Sequence, residues 1–222
     1  MTKRKVLVVA AHPDDEVLGC GGAMAAHADQ GDEVHVLILA QGLNSRGEAG
    51  QEAFAALRGA ADRANRLLGV SSLTLLDFPD NRLDGVDLLD LVKAVEAKVS
   101  SLLPEIVYTH FANDLNVDHR VTHHAAVTAC RPLPGHCVRT ILCFEVPSST
   151  EWSGSPFAPN WFIDIGGQLE RKQAALAAYA GEMRAFPHPR SIEGAGHLAA
   201  WRGASAGFAA AEAFVLFRHR EI

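Results

Sequence analysis

The stretch Val6-Leu7-Val8-Val9-Ala10-Ala11-His12-Pro13-Asp14-Asp15-Glu16 decides the fold. Residues 6–11 are apolar on both alternating faces and rich in β-branched side chains, which predicts a strand covered on both sides, as in a parallel sheet. A histidine and three acids follow at once, where a helix-like pattern begins. Acids at a helix start can simply complement the helix dipole. However, ligands of open α/β sheets bind beyond the carboxyl ends of the strands, so this turn indicates a functional site.

The length and charge of the chain restrict its class. Its 222 residues suffice for one substantial core. The net charge of −6, without a basic tract, argues against nucleic acid as a partner. The apolar runs 6–11 and 34–40 are too short to span a bilayer, and the basic start lacks a secretory pattern. We therefore expect a cytoplasmic protein with no transmembrane segment.

Strand-like and helix-like segments alternate along the first two thirds of the chain. This alternation predicts an α/β fold, a Rossmann-like, mostly parallel sheet with helices on both faces. The predicted strands are 6–11, 33–40, 72–78, 105–110, 139–146 and 212–218, and the predicted helices are 17–29, 51–68, 86–102 and 119–130. We expect a single domain, 1–222, with an α/β core at 1–146 and a carboxyl-terminal substrate cap at 147–222.

A second polar cluster follows the predicted fourth strand and ends in Asp118-His119-Arg120. A catalytic zinc typically takes three protein ligands and leaves one position for water or substrate. His12 and Asp15 are three residues apart at one turn, and His119 would complete a His-Asp-His set. Asp14 could then take a proton from metal-bound water, and Asp118 could fix the tautomer of a histidine.

Both clusters together resemble the PIG-L/LmbE family of zinc-dependent N-acetylglucosaminyl deacetylases. The resemblance extends over most of the chain, through residues 78–83, 145–150, 188–191 and 211–214. It implies an LmbE-like fold, one zinc per subunit held by His12, Asp15 and His119, and Asp14 as the general base. The implied reaction removes an N-acetyl group from a GlcNAc-type amino sugar or its conjugate and releases acetate, so the enzyme hydrolyses a linear amide. Family members often assemble, which leaves a homo-oligomer open.

The chain departs from much of this family at Asn116, where many members have a histidine. An asparagine can donate a hydrogen bond to an oxyanion but cannot deliver a proton. The general acid is therefore open between protonated Asp14, His110 and His188.

Further residues have two interpretations each. Glu16 supports the turn or a metal ligand. Arg46 and Arg190 either hold a sugar hydroxyl or phosphate of the substrate, or are solvated. His123, four residues after His119, could form a metal pair with it on one helix face, but we expect it on the helix surface near the site.

Two other functions are compatible with the same residues. A phosphoesterase could use the same His-Asp-His cluster, although it would more often show ligands for a second metal. A sugar-nucleotide-binding module could use the same sheet without catalysis, but Gly19, Gly21 and Gly22 do not match the dinucleotide spacing. Close packing of the first helix on the sheet explains these glycines better.

Overall fold

A computed structural model of the chain describes residues 3–42 and 50–221. The strands are β1 Lys5–Ala10, β2 Glu33–Ala40, β3 Ser72–Phe78, β4 Ile106–His110, β5 Thr140–Phe144, β6 Trp161–Asp164 and β7 Ala211–His219. The helices are α1 Asp15–Asp29, α2 Gln51–Leu67, α3 Leu88–Leu102, α4 Val117–Ala129, α5 Leu169–Ala178 and α6 Ile192–Ala206. Within these described ranges, none of the helices is long and apolar enough to cross a membrane.

The seven strands form one sheet in the order β3-β2-β1-β4-β5-β7-β6. The strands β1 to β5 are parallel to one another, and β1 is the middle one of these five. Its Val8 pairs with Val36 of β2 on one side and with Tyr108 of β4 on the other. The strand β7 runs antiparallel to both β5 and β6. The predicted mostly parallel α/β sheet is thus confirmed.

Both faces of the sheet are covered by helices. Along β1, Val6 and Val8 pack into the core beneath α1, α2, α5 and α6, whereas Leu7 and Val9 pack into the core beneath α3 and α4. All four side chains are fully buried. Burial of such a side chain contributes about 1.5–3 kcal/mol. This is the physical reason why the opening apolar run has no polar face.

The carboxyl-terminal third contributes to the sheet itself. The predicted late strand is present as β7, but β6 was not predicted. This edge strand has only four residues, and its exposed and half-buried side chains give no apolar alternation to recognise. The description of residues 147–222 as a cap is therefore too simple, because two strands of this segment complete the sheet while α5 and α6 cover one face.

Helix α1 is interrupted at Cys20, where φ is −147° and ψ is 23°. It also packs closely on its neighbours. A β-carbon at Gly19 would lie 2.3 Å from the ring of Phe144, and one at Gly22 would lie 2.7 Å from the side chain of Ile165. The close-packing interpretation is confirmed for Gly19 and Gly22, whereas a β-carbon at Gly21 would lie 3.1 Å from Val17 of the same helix and 3.5 Å from Lys172.

Candidate active site

The polar turns after β1 and β4 meet at one edge of the sheet, because these strands are hydrogen-bonded neighbours that run in the same direction. His12, Asp15 and His119 come together there. Asp15 Oδ2 lies 3.2 Å from His12 Nδ1 and 3.2 Å from His119 Nε2. Asp15 and His119 are buried, and His12 is half-buried. Sequence positions more than one hundred residues apart thus form one cluster.

The donor set of this cluster fits a zinc ion. Two imidazole nitrogens and one carboxylate are a ligand set of catalytic zinc, and bonds of about 2.0–2.2 Å in a tetrahedron separate ligand atoms by roughly 3.3 Å. The separations of 3.2 Å match this value. Asp15 Oδ1 is buried and has no hydrogen-bond partner within the described part of the chain. A bound cation would satisfy this group.

In each histidine of the cluster, the ring nitrogen that does not face Asp15 lies next to a second carboxylate. His12 Nε2 lies 3.0 Å from Asp118 Oδ2 and 3.3 Å from Asp80 Oδ1, so that its Nδ1 faces Asp15. His119 Nδ1 lies 3.1 Å from Asp114 Oδ1. Such carboxylates fix the tautomer and the ring orientation of metal-binding histidines.

Asp114 was not singled out by the sequence, since it is one of several polar residues in its loop. Its carboxylate accepts hydrogen bonds from the hydroxyls of Ser149 and Thr150, the latter at 2.5 Å. Burial raises the pKa of Asp114, but the contacts with His119 and the two hydroxyls outweigh burial and lower this pKa to about 2. Asp114 therefore carries a charge at neutral pH.

The carboxylates also set the protonation of the metal-free cluster. Burial lowers the pKa of His12, but Asp118 and Asp15 outweigh burial and raise this pKa to about 10. Burial likewise opposes the charge on His119, whereas Asp15 and Asp114 raise its pKa above the usual value. The neighbouring carboxylates thus favour the protonated form of both imidazoles in the absence of metal.

Asp14 lies beside the cluster in a strained backbone conformation, with φ 107° and ψ −30°. Its carboxylate accepts a hydrogen bond from Arg190 Nη1 at 3.0 Å. Burial raises the pKa of Asp14 to about 7, although Arg190 opposes this shift and Asp15 adds to it. Glu16 supports the turn, because its Oε2 accepts a hydrogen bond from the Asp14 amide at 3.0 Å. Asp14 can therefore exchange a proton near neutral pH.

Asn116 caps helix α4. Its side-chain oxygen accepts a hydrogen bond from Asp118 N at 2.8 Å, and its Nδ2 donates to Asn81 Oδ1 at 3.3 Å. The latter contact is exposed. The asparagine thus stabilises the helix start that carries His119.

Two further histidines that the sequence singled out, His110 and His123, are both buried. His110 is fully buried and stacks on His119, and its Nε2 accepts a hydrogen bond from Ala11 N at 2.9 Å. Its complete burial argues against the expected substrate contact, whereas His110 Nδ1 has no hydrogen-bond partner within the described residues, so the acid role stays a prediction. His123 is buried rather than on the helix surface, with Nδ1 2.9 Å from the carbonyl oxygen of His110.

His188 is half-buried next to Arg190, whose amide donates to His188 Nδ1 at 3.1 Å. Arg190 itself is not simply solvated, since it binds Asp14. Arg46 lies outside the described residues.

Several known proteins are similar to this chain in sequence. The family described as "PIG-L: GlcNAc-PI de-N-acetylase" matches residues 7–130. An Escherichia coli protein named "Uncharacterized deacetylase YaiS" is 31% identical over 153 residues, which cover 66% of this chain and 77% of the relative. A 4-oxalmesaconate hydratase from Pseudomonas putida is 31% identical over 204 residues, which cover 81% of this chain and 74% of the relative.

The fold is also found among solved structures. A conserved protein from Thermus thermophilus superposes with a TM-score of 0.79 at 26% sequence identity, covering 99% of this chain and 97% of that chain. The family match includes the turn after β1, the loop after β4 and all three residues of the His-Asp-His cluster. Because this match spans more than half of the sequence, the chain belongs to the PIG-L family.

Proposed function

We propose that this protein is a zinc-dependent deacetylase, which hydrolyses the N-acetyl amide of a GlcNAc-type amino sugar or its conjugate and releases acetate. The observation that carries the proposal is the cluster of His12, Asp15 and His119 with Asp14 directly beside it. Membership in a family described as a de-N-acetylase supports the same reaction. The substrate is a small molecule, and a zinc ion is the cofactor.

A zinc ion held by His12, Asp15 and His119 would polarise the acetyl carbonyl and lower the pKa of a water at the open position. Asp14 accepts the proton of the attacking water as general base. Its pKa of about 7 suits this role, because a base near the working pH is both available and sufficiently basic. Arg190 and Glu16 hold the carboxylate and the amide of Asp14 respectively.

The departing amine needs a proton, and Asn116 cannot supply one. We assign this step to Asp14, which holds the proton taken from water and returns it to the nitrogen. A carboxyl group with a pKa near 7 can act in both directions. Asn116 is left with a hydrogen-bonding role at the helix start and towards the oxyanion.

The test combines product and metal analysis. N-acetylglucosamine and its phosphate, lipid and glycoside conjugates are incubated with purified protein, and acetate is measured. We expect His119→Ala to lose both metal and activity. Asp14→Asn is expected to keep the metal but to lose turnover by about 10²–10⁴-fold. His124→Ala, an exposed histidine on the same helix, is the control and should change neither quantity.

A hydratase is the second candidate, because the 4-oxalmesaconate hydratase is similar over 81% of this chain. Addition of water to a carbon–carbon double bond expels no amine. That reaction is therefore compatible with Asn116, which cannot protonate a departing amine. The same panel therefore includes 4-oxalmesaconate. Consumption of this compound without acetate release from any N-acetyl sugar would replace the deacetylase proposal.

A further inference from the structure

The strained backbone of Asp14 is held by the side chain of Glu16. A residue with a β-carbon seldom adopts a φ of 107°, and such a conformation persists only where its surroundings stabilise it. The Asp14 amide donates to Glu16 Oε2 at 3.0 Å, and the Asp14 carbonyl accepts from Leu18 N at 2.9 Å. The direction of the Asp14 carboxylate therefore depends on where the Glu16 carboxylate is fixed.

Two other helical segments fix that carboxylate. Glu16 Oε1 accepts a hydrogen bond from the hydroxyl of Tyr179 at 2.7 Å and another from Asn65 Nδ2 at 2.9 Å. All three residues are almost completely buried. Burial, together with the neighbouring Glu16, raises the pKa of Tyr179 well above its ordinary value, so the hydroxyl is protonated at neutral pH and donates to the carboxylate.

Helix α5, which ends just before Tyr179, also contacts α1 at a second point. Lys172 Nζ donates to the carbonyl oxygen of Leu18 at 2.9 Å and pairs with Glu212 Oε1 at 2.5 Å. Lys172 and Tyr179 are seven residues apart, about two helical turns, and they reach the same end of α1. This double attachment fixes the part of α1 that begins with Asp15 and Glu16.

We propose that Tyr179 is a positioning residue of the reaction, which acts through Glu16 to hold Asp14 in the conformation that directs its carboxylate into the site. The inference rests on the proposed function, in which Asp14 is the base. It assigns a specific task to a residue from the carboxyl-terminal third.

The chain provides a matched control, because it contains two tyrosines and both are almost completely buried. The hydroxyl of Tyr108 lies 2.9 Å from His27 Nε2, so Tyr108→Phe and Tyr179→Phe each remove one buried hydroxyl contact. Both variants should therefore show similar small decreases in Tm. We expect kcat to fall about tenfold or more in Tyr179→Phe, with unchanged metal content and KM, because misplacement of a catalytic group impairs the chemical step. Tyr108→Phe should keep the wild-type kcat.

A double-mutant comparison tests whether Tyr179 acts through Glu16. Glu16→Met removes both acceptor oxygens, and with them the hydrogen bonds to the Asp14 amide and to Tyr179, while retaining a side chain of similar length. If Tyr179 acts only through Glu16, the double variant will have the same kcat as Glu16→Met, whereas independent effects would multiply. Multiplying effects, or a wild-type kcat in Tyr179→Phe, would overturn the inference.

Asp14→Asn, assayed in parallel, separates the two proposals. Full activity of Asp14→Asn contradicts the proposed function. Loss of turnover in Asp14→Asn, together with a wild-type kcat in Tyr179→Phe, contradicts only the positioning role.

Discussion

Arg190 Nη1 donates a hydrogen bond to Asp14 Oδ2 at 3.0 Å and thereby joins two residues that lie 176 positions apart in the chain. Arg190 Nε also donates to Ser148 Oγ at 3.1 Å. The arginine thus ties the loop after β5 and the loop before α6 to the acidic turn after β1. Its positive charge stabilises the charged form of a carboxyl group whose pKa burial raises to about 7.

Replacement of Arg190 should shift the pH dependence of activity. Arg190 lowers the pKa of Asp14, so Arg190→Met will raise it further. A general base must be unprotonated, and the acidic limb of kcat/KM will therefore move to higher pH, with a larger loss at pH 6 than at pH 8.5. The pH–rate profile of Arg171→Met, which removes an arginine paired with Asp29 away from the site, should equal that of the wild type. If the acidic limb of the kcat/KM profile of Arg190→Met lies at the same pH as in the wild type, ionisation of Asp14 is not what determines that limb.

Removal of the Asp114 charge should weaken metal binding. Asp114→Asn takes away the carboxylate behind His119 Nδ1, and the loss of such a partner typically costs about 10–100-fold in metal affinity. Competition with a chromophoric chelator measures the zinc affinity. Asp77→Asn, an exposed aspartate paired with Arg58, serves as the control. Equal affinities in the two variants would exclude an orienting role for Asp114.

Zinc binding should release protons at neutral pH. In the metal-free protein the pKa of His12 is raised to about 10, so its imidazole is protonated at pH 7 and must lose this proton to bind metal. The zinc affinity will therefore increase with pH, by about tenfold per unit for each proton released. Calorimetric titrations in two buffers with different ionisation enthalpies should give different heats. Identical heats would mean that no proton leaves the site.

The packing of α1 against the sheet should tolerate no additional methyl group at Gly19. A β-carbon there would lie 2.3 Å from the Phe144 ring, and overpacking of this kind costs typically about 1–3 kcal/mol. We expect a reduced Tm for Gly19→Ala. Gly59→Ala is the comparison, because its nearest neighbour is the flexible end of Arg63 and alanine favours the helix by up to about 1 kcal/mol. A Tm for Gly19→Ala as high as that of Gly59→Ala would contradict the close packing.

One part of the site could be predicted because it depends only on residues that are close together in the sequence. His12 and Asp15 are three residues apart at a turn that follows a buried strand, so their proximity needs no knowledge of the remaining fold. The approach of His119 required one further assumption, that β1 and β4 are neighbours, and the pairing of these two strands in the structure establishes it. The structure places His12 Nδ1 and His119 Nε2 each 3.2 Å from Asp15 Oδ2.

Other parts of the site could not be predicted, since they depend on contacts that no local pattern describes. Asp114 is one acid among several polar residues, and its selection depends on the hydroxyls of Ser149 and Thr150. The burial of His110 follows from packing against His119 and Phe144. The strand β6 is too short and too exposed to leave a periodic signal.

The sequence by itself determined the parallel α/β core, the acidic turn after β1 and the residue types that can hold a metal. These features follow from apolar periodicity and from spacings of a few residues, which fix local geometry. Only the tertiary structure decided which groups control the base. Arg190 and Tyr179 reach Asp14 and Glu16 because α5, α6 and their loops pack on one face of the sheet, and that packing is a property of the whole chain.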